Sequence, residues 1–99
     1  LPISVDYRRI AAVSAHADAD YTEAKQAIDY ILRSFGIKYE VVEVEHDSFM
    51  EGRVGRVIVN GKKVAYIGEI SPSVLKNFDL NVPVSGFELN LSELFQAIQ

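Results

Sequence analysis

The sequence predicts an α+β domain, a mostly antiparallel sheet with flanking helices, and three features carry that prediction. Residues 53–59 and 63–70 are rich in β-branched and aromatic types, and Asn60-Gly61 between them supplies the positive φ angles of a tight reversal. Residues 21–35 repeat apolar side chains at i, i+3 and i+4, the period of a helix with one buried face. Extended patterns precede and follow the hairpin, and a hairpin joins the central strands where a parallel sheet would need crossovers.

In chain order, residues 8–15 form a short apolar run behind two arginines and read as a buried strand. Asp20 then stands as N-cap of the helix with Glu23 three residues on, a capping-box pattern. Tyr21, Ala24, Ile28, Ile31, Leu32 and Phe35 make its apolar face, Lys25, Asp29 and Arg33 pair on the other, and Gly36 ends it. Residues 37–45 alternate as a strand whose outer positions are crowded with acids, and His46, Asp47 and Ser48 lead into the hairpin.

The hairpin admits two registers. A two-residue loop pairs Val59 with Lys62, and a four-residue loop pairs Val59 with Val64. Either one places Val57, Val59, Val64 and Tyr66 on one side and Ile58, Ala65 and Ile67 on the other. Apolar groups on both sides imply a sheet covered on both faces, by this chain or by a partner. Ser71-Pro72 next starts a short helix burying Val74, Leu75 and Phe78. Residues 82–84 re-enter extended structure, Phe87, Leu89 and Leu91 alternate along a last strand, and Asn90 with Glu93 caps a closing helix that buries Leu94, Phe95 and Ile98.

Ninety-nine residues with 48% hydrophobic content suit a single domain with one core. The start at Leu1-Pro2, without a Met, is read as the edge of a piece taken from a longer chain. The lack of Cys fits a reducing, cytoplasmic setting, and no apolar run is long enough to span a bilayer. A net charge of −4 with scattered Lys and Arg makes the piece a poor nucleic-acid binder by itself. Arg53 and Arg56 fall on opposite faces of one strand and, with Lys62 and Lys63, read as solvated edge charges.

Searches for chemistry return little. His16 and His46 have no second ligand at helical spacing, and Asp18 and Asp20 lack the remaining oxygens of a calcium loop. Gly52, Gly55, Gly61 and Gly68 match no phosphate-binding fingerprint and read as turn, close strand approach, hairpin tip and strand bulge. Glu69 and Glu88 are a conceivable carboxylate pair, with simple solvation as the plainer reading.

Three blocks together carry a resemblance: Glu51-Gly52-Arg53; Ile67-Gly68-Glu69-Ile70-Ser71-Pro72-Ser73-Val74-Leu75 with Asn77-Phe78; and Val82-Pro83-Val84 with Phe87-Glu88-Leu89. In order and spacing they resemble the β subunit of phenylalanyl-tRNA synthetase, archaeal and eukaryotic type, in the C-terminal part of its catalytic-like module. The resemblance implies the fold of part of a class II aminoacyl-tRNA synthetase core stripped of catalytic residues. It also implies an α subunit as partner in an (αβ)2 assembly, which attaches phenylalanine to its tRNA with ATP and magnesium. By that reading this chain has no catalytic, cofactor or metal residue, and tRNA is met through the holoenzyme. Residues 84–98 fall where a class II enzyme carries its third motif. They hold no arginine there, so a triphosphate would meet Glu88 and Glu93. The candidate interface residues are Tyr21, Phe49, Met50, Tyr66 and Phe78, each of which also suits core packing. The other reading, of a different class, is a free-standing small-molecule binding or regulatory domain with the hairpin as pocket wall.

Overall fold

Asn60 and Gly61 turn the chain with φ of 49° and 79°, the left-handed pair that a two-residue hairpin loop requires. Around that turn a computed structural model describes residues 3–5 and 9–99, with side chains from Arg9 onward. Arg8 and the opening Leu1-Pro2 lie outside the described residues. The elements run β1 (Ile3–Val5), β2 (Arg9–Ala15), α1 (Tyr21–Ser34), β3 (Glu40–Glu43), β4 (Phe49–Val59), β5 (Lys62–Ile70), α2 (Pro72–Asn77), β6 (Val84–Asn90) and α3 (Leu91–Ala97). The strands form one six-stranded sheet in the order β1-β2-β6-β5-β4-β3, every neighbouring pair antiparallel. This is the α+β architecture expected, with β1 added at one edge.

The hairpin takes the two-residue register, Val59 opposite Lys62 and Ile58 opposite Lys63, and then shifts, so that Val57 faces Ala65 and Val64 is left over. A one-residue bulge reverses the side-chain alternation beyond it. Tyr66 therefore stands opposite Arg56, and Val57 shares its face with Ala65 and Ile67. That corrects the expected grouping of Val57 with Tyr66. A second irregularity borders Gly68, where residues 50–53 of β4 stand opposite Glu69 alone between the Phe49–Ile70 and Val54–Gly68 pairs, so the extra residues there lie on β4 and not at Gly68 itself.

One face carries the core. Ala12, Phe87 and Ile67 follow one another across three strands, as do Leu89, Ala65 and Val57 in the next row. Onto them pack Ala24, Ile28 and Leu32 of α1 and Leu94 and Ala97 of α3. Ile28, Leu32, Val57 and Ile67 are fully enclosed. The expected buried strand over 8–15 is half right, since β2 buries Ala12 and leaves Val13 41% exposed.

Helix ends follow their caps. Asp20 Oδ1 accepts from Glu23 N at 2.9 Å, but the Glu23 carboxylate turns to His16 Nε2 at 2.7 Å instead of closing the box. Gly36, at φ 69°, closes α1 with Gly36 N donating to Arg33 O and Ile37 N to Leu32 O. Asp79 repeats the arrangement after α2 at φ 54°. Apolar residues at or beyond these ends leave the core: Phe35 and Phe78 are 76% and 72% exposed, against the burial that periodicity suggested. Val74 and Leu75 are half-buried, and Phe95 and Ile98 of the last helix are exposed while Leu94 is buried.

Candidate functional site

The face opposite α1 and α3 gathers side chains that the sequence scatters. Val42, Arg56, Tyr66, Glu88 and Ala11 lie in register across five strands on that side. Val54, Gly68, Gly86 and Val13 form the row beside them. Gly68 leaves a shallow place in that row. A β-carbon there would stand 2.5 Å from Phe49 Cδ1, so the absence of a side chain is what lets the Phe49 ring lie on the sheet.

Phe49 stacks with Tyr66 at 6.3 Å between ring centroids, and His46 meets both edge-on, at 5.1 Å from Phe49 and 4.8 Å from Tyr66. The guanidinium of Arg56 lies 3.9 Å from the Tyr66 ring centroid, a cation–π contact that holds the side chain along the sheet. His46 Nδ1 accepts from Ser48 N at 3.1 Å, which fixes the ring as the chain enters β4. Arg9 donates to Glu88 at 2.7 Å next to Tyr66. A depression of about 550 Å³ opens among Arg9, His46, Phe49, Arg56, Tyr66 and Glu88. Rings, guanidinia and one carboxylate can grip a partner surface.

The carboxylates singled out from sequence are separated by the sheet. Glu69 faces the helices, 8% exposed, and accepts from Tyr21 N at 3.0 Å and from Arg53 Nη1 at 3.1 Å. It is a buried anchor for the first turn of α1, where the helix dipole favours negative charge, and not the solvated strand residue expected. Glu88 lies on the other face. Arg53 and Arg56 do fall on opposite faces, but neither is a loose edge charge, since one pairs with Glu69 and the other with Tyr66. Glu88 and Glu93 each have a cation at hand, Arg9 at 2.7 Å and Lys62 at 3.7 Å.

Of the five interface candidates, Phe49 and Tyr66 come together on this face. Tyr21 goes to the other side, half-buried against the core, and its hydroxyl would lie 2.6 Å from a β-carbon on Gly55. Burial, aided by the charge of Glu43, pushes its phenol above the usual range. Met50 is half-buried and Phe78 stands out at the end of α2. Sequence reading missed His46 and Arg56 as members of the cluster. The signal for Arg56 was its three-residue step from Arg53, which puts the two on opposite faces, and nothing comparable marked His46. Among the described residues no three His, Asp or Glu side chains gather as metal ligands, and no helix is long and apolar enough to cross a membrane.

The sheet carries α1 and α3 on one face and a cluster of aromatic and arginine side chains on the other. Comparison with known proteins gives the class: the profile of the family described as "Phenylalanyl tRNA synthetase beta chain CLM domain" matches residues 5–91. The chain belongs to that family. It is 47% identical over 88 residues to the phenylalanine–tRNA ligase beta subunit of Pyrococcus abyssi, covering 89% of this chain and 16% of that protein. The beta subunit of Thermococcus onnurineus is 42% identical over 93 residues, with 94% and 16% covered, and that of Methanococcoides burtonii 45% over 84 residues, with 85% and 16% covered. The chain thus spans about one sixth of the length of these relatives.

Proposed function

We propose that this chain is a non-catalytic assembly module of the phenylalanine-tRNA ligase β subunit, docking on the α subunit through the face that carries Phe49, Tyr66 and Arg56. The observation that carries the reading is that cluster. Aromatic and arginine side chains are the residues that dominate binding energy at protein interfaces. The titratable groups support it from the other side, because Glu69 and Glu88 are each committed to an arginine and Glu69 also to a helix end.

In this reading the sheet and its helices are part of a class II synthetase core, and the α subunit performs the chemistry in an (αβ)2 enzyme of the cytoplasm. ATP and magnesium act there, and tRNA is engaged by the whole assembly. Light scattering after size exclusion tests it. The longer β chain co-elutes with α, and Phe49→Ala with Tyr66→Ala separates them while circular dichroism stays unchanged. Full complex formation by the double variant would overturn the reading.

The depression of about 550 Å³ between Arg9, Phe49, Tyr66 and Glu88 favours a second reading, a small-molecule site on the same face. Calorimetry with phenylalanine and with ATP distinguishes the two. Saturable binding that Tyr66→Ala abolishes supports the second reading, and its lack supports the first.

A further inference from the structure

Arg56 differs from the other described arginines. Arg9, Arg33 and Arg53 stand 2.7, 3.0 and 3.1 Å from the carboxylates of Glu88, Asp29 and Glu69. Among the described residues Arg56 pairs with no acid and donates to no oxygen, and what holds it is the Tyr66 ring, 3.9 Å from its guanidinium. The described lysines outside ion pairs, Lys25, Lys38, Lys63 and Lys76, are exposed, where water solvates the charge. Arg56 is half-buried. Val42 and Tyr66 face it on the neighbouring strands, and Phe49 and His46 lie against the far side of that tyrosine.

Contact with a ring fixes a guanidinium in place without giving its N–H donors an oxygen, and those donors form a planar fork that matches a carboxylate. The group is thus ordered before any partner arrives, which lowers the entropic cost of binding. The depression beside it holds a single acid, Glu88, already bonded to Arg9 at 2.7 Å. With His46 neutral, Arg9 and Arg56 against Glu88 leave one positive charge in excess there, on a chain of net charge −4. A nucleic-acid strand would bring a row of phosphates past Glu88 to that acidic chain, whereas one carboxylate meets one guanidinium.

We infer that Arg56 is the carboxylate-binding residue of this face: an Asp or Glu side chain of the α subunit closes on its fork while an apolar neighbour of that residue lies on Phe49 and Tyr66. The inference rests on the assembly reading and names what the partner presents. Rings on the flank of the pair keep water from it, and a charge pair shielded in that way contributes to affinity where an exposed one does not.

Calorimetry of α with the longer β chain at low and high salt tests it, using Arg56→Gln, Arg56→Lys, and Phe49→Ala with Tyr66→Ala. Arg56→Gln keeps a planar polar group beside Tyr66. It weakens binding about tenfold or more and leaves an affinity that depends less on salt than that of the unaltered chain. Arg56→Lys keeps the charge without the fork and falls between the two. Each Asp and Glu of α is then changed to Asn or Gln in turn, and one of them costs about as much as Arg56→Gln and nothing further on top of it. Unchanged affinity of Arg56→Gln, where the aromatic variant weakens binding, would overturn the carboxylate and leave the assembly reading standing. Unchanged affinity of both variants would overturn the two together. A loss with Arg56→Gln that couples to no acid of α would also overturn the inference, as would a loss confined to a parallel titration with tRNA, which would assign the fork to a phosphate.

Discussion

Glu69 offers a prediction whose size can be worked from geometry. Its carboxylate is 10% exposed and joins three elements, accepting from Tyr21 N of α1 at 3.0 Å and from Arg53 of β4 at 3.1 Å while itself on β5. Glu69→Ala leaves an amide of the first helical turn without its charged acceptor, a loss of about 1.5–3 kcal/mol. The arginine contact adds at most about 1 kcal/mol, because Arg53 is 57% exposed and water screens it. Glu69→Gln keeps the shape and a carbonyl oxygen for Tyr21 N, and gives up only the charge, about 1 kcal/mol. Urea unfolding of a chain this size has a slope of about 1–3 kcal/mol per molar. The midpoint should fall by roughly 1–2 M for Ala and roughly 0.5 M for Gln. Equal losses for the two variants would refute the amide anchor, and no loss for Ala would mean that Glu69 is merely solvated.

Tyr39 titrates late, its phenol pushed up to about 12 by burial and by the Asp29 carboxylate it bonds. A raised pKa contributes stability that is complete below the unfolded value and lost as pH rises through the folded one. Stability should therefore fall across the window from about pH 10 to about 12, and Tyr39→Phe should flatten that fall in alkaline unfolding curves. Asp29 shifts the other way, held below the usual carboxylate range by Tyr39 and then Arg33. Tyr39→Phe should raise the Asp29 pKa in an NMR titration, and an unchanged value would count against the bond. Gly86→Ala places a β-carbon 2.4 Å from the Ala12 carbonyl oxygen, which is backbone and cannot swing aside. Overpacking of that kind costs about 1–3 kcal/mol, and thermal unfolding of the variant checks it.

What could be read from sequence was what neighbours in the chain decide. Asn60-Gly61 dictates a reversal whatever surrounds it, and Asp20, Ser71 and Asn90 each accept from the amide three residues on, as their spacing suggested. Alternation failed at Val64, because a bulge is set by how two strands fit and not by either alone. That extra residue decides that Tyr66 stands opposite Arg56, and the second irregularity, between Phe49 and Val54, brings Phe49 to the same face. Periodicity also overran its range at Phe35 and Phe78, where the helix had already ended and the chain turned away. Glu69 looked like any strand acid because its partners are distant in sequence, Tyr21 lying 48 residues away.

Hydrogen exchange of the longer β chain, alone and bound to the α subunit, tests the central claim most directly. Docking through the helix-free face protects the amides of residues 46–49 and of β4 and β5 around Arg56 and Tyr66, and leaves the outer side of α1 at Thr22, Lys25 and Gln26 unchanged. Protection confined to α1, with the strands exchanging as they do in the isolated β chain, would contradict it.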